Sequence, residues 1–156
     1  MLDPQKLKAD ILSDMRVELS DEFDRNFERK AFFSDKWKPR ARDYTRGSLL
    51  MVSSALRRSI KGGAETLENG VRFSSAVPYA SIHNEGLTGY KMVRAHTRTI
   101  KKTGKTHNVR AHQRRFNMPQ RQFIGDGPDT QRIIRGVIDD NLKQFNLSLT
   151  DFFRQE

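Results

Sequence analysis

The sequence contains no cysteine. Disulfide frameworks, thiolate metal cages and thiol nucleophiles are excluded together, so stability has to come from packing. No stretch approaches the ~20 consecutive apolar residues that a bilayer-crossing helix needs. Asp3, Lys6, Lys8 and Asp10 stand where a secretory signal would require an apolar run, so the chain is expected to stay in the cytosol where it is made, without a membrane partner. Apolar residues make up only 35% of the chain. With a mean hydropathy of -0.77, the expected core is modest and much of the chain is surface, exposed arm, or contact area completed by another copy.

Signatures of catalysis are missing as well. The chain has no Gly-rich phosphate loop with a following Lys-Ser/Thr, no serine nucleophile elbow and no His-Glu-x-x-His helix. His83 and Glu85 lie two apart, a poor spacing for joint work on a helix. His96, His107 and His112 stand among arginines and lysines, which repel a metal cation and offer no carboxylate to help bind it. A nuclease would need a carboxylate cluster for metal. No catalytic residue, metal ligand, cofactor or small-molecule substrate is therefore expected, and the chain reads as a non-enzyme.

The most informative absence is one of acidic residues. Between Leu87 and Gly125 there is no Asp or Glu, against ten basic residues: Lys91, Arg94, Arg98, Lys101, Lys102, Lys105, Arg110, Arg114, Arg115 and Arg121. The other 19 basic residues balance the 19 acidic ones, so the formal charge of +10 lies in this one segment. A near-neutral body with a concentrated cationic arm points to a localised anionic partner, either nucleic acid or an acidic protein surface. Tyr90 and Phe116 are its only aromatics apart from Phe123, so phosphate contact is expected to outweigh base stacking if the partner is nucleic acid.

What is present sorts into helices and short strands. Leu7, Ile11, Met15, Leu19, Phe23, Phe27 and Ala31 recur at four-residue spacing, which predicts a long amphipathic helix over residues 1–32. Each step turns ~400°, so the stripe drifts ~40° per step and one flat surface cannot cover it. The helix either crosses the core obliquely or docks one end on a neighbouring subunit. Phe32, Phe33, Trp37 and Pro39 predict an ordered loop pinned by aromatics. Leu49, Val52, Leu56 and Ile60 predict a second helix from Tyr44 to about Ile60, capped by Asp43 or Thr45 and broken by Gly62-Gly63. Two short strands follow, Ala64–Glu68 and Val71–Ala76, around a type I′ turn at Asn69-Gly70. Pro78 introduces a short helix ended by Gly86. Gly127-Pro128-Asp129 opens the last helix, with Ile134, Val137, Ile138, Leu142 and Phe145 as its stripe.

The basic segment echoes itself. Val93-Arg94-Ala95-His96-Thr97-Arg98 returns sixteen residues later as Val109-Arg110-Ala111-His112-Gln113-Arg114, with Thr103-Gly104 near the midpoint. Both are expected to be arms of one hairpin, with Arg94, His96, Arg98 and Ile100 on one face and Val93, Ala95, Thr97 and Thr99 on the other. The predicted fold class is α+β: a small antiparallel β-sheet packed by two or three helices, with a long N-terminal helix and a protruding basic β-hairpin. One domain spans 1–156, divided into 1–32 (N-terminal helix), 33–86 (helix, hairpin, short helix), 87–118 (basic hairpin insertion) and 119–156 (strand, C-terminal helix and tail).

The stretch Val77-Pro-Tyr79-Ala-Ser-Ile82-His83-Asn-Glu-Gly86, followed by Met118-Pro119-Gln-Arg121-Gln-Phe123-Ile124-Gly125, resembles the virion-morphogenesis or tail-completion family of tailed phages and prophages. Trp37-Lys-Pro39 and the segment from Gly47 to Ile60 are similar too, so the resemblance covers roughly residues 33 to 145. It implies a structural protein of virion assembly that joins head to tail or completes the tail. It also implies a homo-oligomer, such as a ring, that meets other head or tail proteins in the host bacterial cytoplasm and remains in the virion. The motif residues Tyr79, Ile82, His83, Gly86, Pro119, Phe123 and Gly125 are read as mainly structural. Tyr79 and Ile82 would share a helix face, His83 would fix a backbone carbonyl, Gly86 would take a left-handed turn, and Phe123 would be buried in a strand. Arg121 and the nine other cations are the candidate partner contacts. The hydrophobic tail residues Leu147, Leu149, Phe152 and Phe153 join the long helix as candidate intersubunit contacts. A free-standing, non-specific nucleic-acid-binding protein is the alternative reading.

Overall fold

Asp3 starts the first helix: its Oδ1 accepts the N–H of Gln5 at 2.8 Å, and Pro4 occupies the first turn, where its missing N–H costs nothing. The computed structural model describes residues 3–40 and 47–154. Helix α1 (Pro4–Arg29) ends where Lys30 turns left-handed, with φ 53° and its N–H on the carbonyl of Asn26. A tight antiparallel pair, β1 (Ala31–Phe32) and β2 (Asp35–Lys36), follows at once. The aromatic-pinned loop is thus ordered, and Phe32 and Trp37 are both buried.

The drift of the α1 stripe divides the core in two. Leu19 and Phe23 pack with Phe32, Met15 and Phe73. Phe27, one turn beyond Phe23, instead packs with Trp37, Leu56, Ile60, Ala80 and Phe123, and Ile124 touches both clusters. The rings meet edge-on or tilted: Phe27 to Trp37 at 5.7 Å, Phe27 to Phe123 at 5.2 Å and Phe23 to Phe73 at 5.0 Å between centroids. Each fully buried Phe or Leu here contributes about 2–3 kcal/mol relative to exposure.

Helix α2 (Ala55–Gly62) buries Leu56 and Ile60 as expected but starts later than its apolar spacing predicts. Gly47, Leu50 and Ser54 have positive φ, and Ser48 and Met51 close a small bridge, so the chain before Ala55 cannot be helical and Val52 is exposed. The predicted caps Asp43 and Thr45 lie outside the described residues. Strands β3 (Ala64–Leu67) and β4 (Gly70–Phe73) form the expected hairpin, with Leu67 opposite Gly70 and the turn at Glu68-Asn69. None of Glu68, Asn69 and Gly70 has positive φ, so the turn is not type I′. Arg57 ties α2 to α1 by a two-pronged ion pair with Asp24 and a second with Glu28 at 2.7 Å.

Helix α3 (Ala80–Glu85) ends at Gly86, φ 75°. The chain then forms β5 (Leu87–Val93), β6 (His96–Thr99), β7 (Thr106–Val109) and β8 (His112–Met118). Finally α4 (Pro128–Arg154) runs antiparallel to α1: Asn141 donates to Asp14 at 2.9 Å, while Ile133 and Ile134 join the Leu19–Phe23 cluster. The helix continues through the predicted tail, although the side chains of Leu147, Leu149, Phe152 and Phe153 lie outside the described residues.

The protein is α+β with a long N-terminal helix, as its pattern predicts, but the strands do not form one sheet. They divide into four two-stranded antiparallel ladders, β1–β2, β3–β4, β5–β8 and β6–β7. The expected strand at 119–125 is also absent. Pro119 has no N–H to give, and the backbone N–H groups of Arg121, Phe123 and Ile124 are claimed by α3, so these four residues offer none to a partner strand.

Candidate functional site

The two motif segments interlock. The N–H of Arg121 donates to the carbonyl of His83 at 2.7 Å. The side-chain oxygen of Asn84 accepts from Phe123 at 3.0 Å and Ile124 at 3.2 Å. Carbonyls of the same segment are taken from the other side: Trp37 Nε1 donates to Gln122 at 2.6 Å and Asn26 Nδ2 to Phe123 at 3.1 Å. A partly buried segment with no sheet neighbour thus has five of its backbone polar groups satisfied by side chains and by one helix end. Gly86 is required by a close approach as well as by its φ: a Cβ there would lie 2.9 Å from the nitrogen of Gln120.

Arg121 does not stand with the other cations. It is 6% exposed and donates to the carbonyls of Lys38 at 3.0 Å and Pro39 at 3.2 Å, so it braces the segment after β2. Burial, and then the charge of Arg40, lower its pKa, but a guanidinium remains protonated. For His83 the expectation is corrected: its main-chain carbonyl is the bonding group, while its ring Nδ1 is buried without a protein partner. Burial, reinforced by Arg121, lowers the imidazole pKa and favours the neutral ring. Tyr79 sits edge-on to that ring at 5.9 Å and is exposed; it precedes α3 and shares no buried face with the half-buried Ile82. Phe123 is fully buried, as expected. Gly125 has φ 146°, and its carbonyl accepts from Thr130 at 3.0 Å, fastening the start of α4. Pro119 is half-buried and helps to line an open cleft of about 980 Å³, in which Lys38, Arg40, Arg114 and Arg121 surround Leu49 and Met118 and no carboxylate stands among the described lining residues.

The remaining nine cations are exposed on the ladders or their connections. Leu87 pairs with Met118 through to Val93 with His112, and His96 with Val109 through to Thr99 with Thr106. Lys91 faces Arg114, and Arg98 faces His107. Lys101, Lys102 and Lys105 lie in the tip between β6 and β7, where Gly104 takes φ 66°. No residue from 87 to 120 is buried, and among the described residues none of these cations forms an ion pair.

The sequence echo becomes a structural one. Pairing stops at Arg94-Ala95 and at Arg110-Ala111, which lie opposite each other between the two ladders. On each strand a histidine ring folds back on the carbonyl two residues earlier, His96 on Arg94 at 3.0 Å and His112 on Arg110 at 2.9 Å. The regular ladder is therefore interrupted between Val93 and His96.

Sequence reasoning missed Asn26 and Asn84. Asn26 is fully buried, accepts from Phe33 at 2.9 Å and donates to Phe123, yet it lies outside the four-residue stripe. Nothing in the spacing marks either asparagine. Among the described residues no group of three or more His, Cys, Asp or Glu side chains could hold a metal, and no helix is long and apolar enough to cross a membrane.

These features define a small α+β protein whose polar interior braces two sequence motifs and whose excess charge is displayed on exposed strands. The model of the phage virion morphogenesis family matches residues 7–143, and the chain belongs to that family. Its role is accordingly structural or in assembly of the phage particle. No curated protein and no solved structure matches the chain.

Proposed function

We propose that the protein acts at the head-tail junction or in completing the tail, as a homo-oligomer that docks on other phage head or tail proteins in the host cytoplasm and stays in the virion. It works by binding, without enzymatic activity. One observation carries the reading: inward-facing polar groups hold the motif segments in place, whereas nine cations stand outside on strands and their connections with no buried residue. Such an arm is displayed for a partner, because an isolated two-stranded ladder is marginal in water.

Electron microscopy of particles from a phage with this gene stopped early tests the proposal. Filled heads beside separate or abnormal-length tails are expected, and the defect identifies the junction. Normal infectious virions would remove the protein from morphogenesis. The lack of any acid from Leu87 to Gly125 supports the second reading, non-specific contact of the arm with DNA phosphates. That reading requires duplex binding that weakens steeply with salt.

A further inference from the structure

We infer that the basic arm of one copy, residues 87–118 from β5 through β8, docks on the outer face of α1 of the next copy, so that the chain carries both halves of its own assembly contact. The inference rests on the oligomeric role proposed above and names the contact.

The acidic half is as localised as the basic one. Between Ala9 and Asp24 there are six acidic residues, and the only basic one is Arg16. Two of the six are engaged: Glu22 with Arg25 and Arg29, and Asp24 with Arg57. Asp10, Asp14, Glu18 and Asp21 are exposed and form no ion pair among the described residues, Asp14 at the edge of this face accepting a hydrogen bond from Asn141 of α4, while Arg16 is half-buried. Val17 lies among these carboxylates at 49% exposure. Within one copy the main packing partners of α1 are α2, α4, β1 and the β3–β4 pair, so the arm leaves this face uncovered.

The arm supplies the complement. Like charge forbids two arms from covering each other, which leaves an anionic occupant. On the ladder surface that carries Arg115, Tyr90 is 70% and Met92 60% exposed. Large apolar side chains beside an arginine suit a protein surface better than a phosphate backbone. The arrays also match in length. Asp10 to Asp21 spans about 17 Å of helix, and Arg94 to Lys101 spans at most about 23 Å of extended chain. Because the two patches differ, each copy can give one contact and receive one, which builds a ring when the rotation closes and a two-fold dimer when the exchange is reciprocal.

Sedimentation of two charge-reversed variants tests this. One carries Asp10→Lys, Glu18→Lys and Asp21→Lys; the other carries Arg98→Glu, Lys101→Glu and Lys102→Glu. Wild type is expected to associate at about 50 mM salt and to weaken at about 500 mM. Each variant alone should lose at least ~100-fold in association. Mixed together they should assemble again, which misfolded chains cannot do. A wild type monomeric at both salts, a first variant with wild-type mass, or a mixture that stays dissociated would each overturn the inference. If the mixture stays dissociated and only the second variant loses affinity for a random-sequence duplex, the occupant is DNA. The assembly role is read separately, from the particles made without the gene.

Discussion

Asn84 and Phe123 are joined by a hydrogen bond of 3.0 Å from the backbone N–H of Phe123 to the asparagine side-chain oxygen, and the same oxygen accepts from Ile124 at 3.2 Å. This one acceptor couples α3 to the segment that supplies Phe123, which with Phe27 is one of the two fully buried aromatics of the core. Asn84→Ala would leave two N–H groups unsatisfied, so a loss of about 3 kcal/mol is expected. Thermal unfolding should show a Tm lower by roughly 10 °C. Asn84→Asp keeps the acceptor and should lose less; equal losses would contradict this account.

Phe123 is packed against Phe27 with no exposed surface. Phe123→Ala should cost about 3–5 kcal/mol by removing buried area and leaving a cavity. A chemical-denaturation midpoint within error of wild type would show that the segment is not part of the cooperative core.

The Arg57 guanidinium holds the Asp24 carboxyl below its ordinary pKa, against the opposing effect of burial. Its stabilisation is present above the unfolded carboxylate pKa of about 3.9 and is lost as pH falls through the lower folded value. Both side chains are about a quarter exposed, so solvent screening limits the pair to about 1 kcal/mol. The stability gap between wild type and Asp24→Asn, measured in urea, should be constant from neutral pH to about pH 5 and close below about pH 4. A gap that persists at low pH would rule out the ionised pair as its source.

His83 titrates with the same sign. Its folded pKa is lowered by burial, so its contribution is present above the unfolded imidazole value of about 6.5 and falls away as pH drops towards the folded value. His83→Gln should flatten the stability profile between about pH 7.5 and pH 5. Identical profiles for the two proteins would assign that pH dependence to other groups.

Replacing residues 90–116 with a short Gly-Ser linker should leave a cooperatively unfolding body of lower charge, since no residue from 87 to 120 is buried. Loss of a single cooperative transition would show that the ladders are integral to the fold.

Much of this architecture was legible in the residues themselves, because the governing interactions are local. Four-residue spacing makes α1 amphipathic, and its ~40° drift per step explains why Leu19 and Phe27 face different clusters. Gly86 ends α3 by backbone freedom, Gly63 follows α2 where a Cβ would clash with the carbonyl oxygen of Ser74, and the absence of acids from 87 to 125 is a property of composition. The echoed Val-Arg-Ala-His sequence marks two matching bends, although period-two alternation alone could not show that pairing stops there.

Tertiary structure decided the rest. The start of α2 depended on three left-handed residues, and apolar spacing says nothing about φ. Arg121 looks in sequence like one more cation of the arm; only the carbonyls of Lys38 and Pro39, 83 and 82 residues away, explain why it is buried. Asn26 likewise reaches Phe123 across 97 residues. A hydrogen bond that saturates a buried backbone group leaves no periodicity behind, because its partner is selected by the folded chain and not by the neighbouring residues.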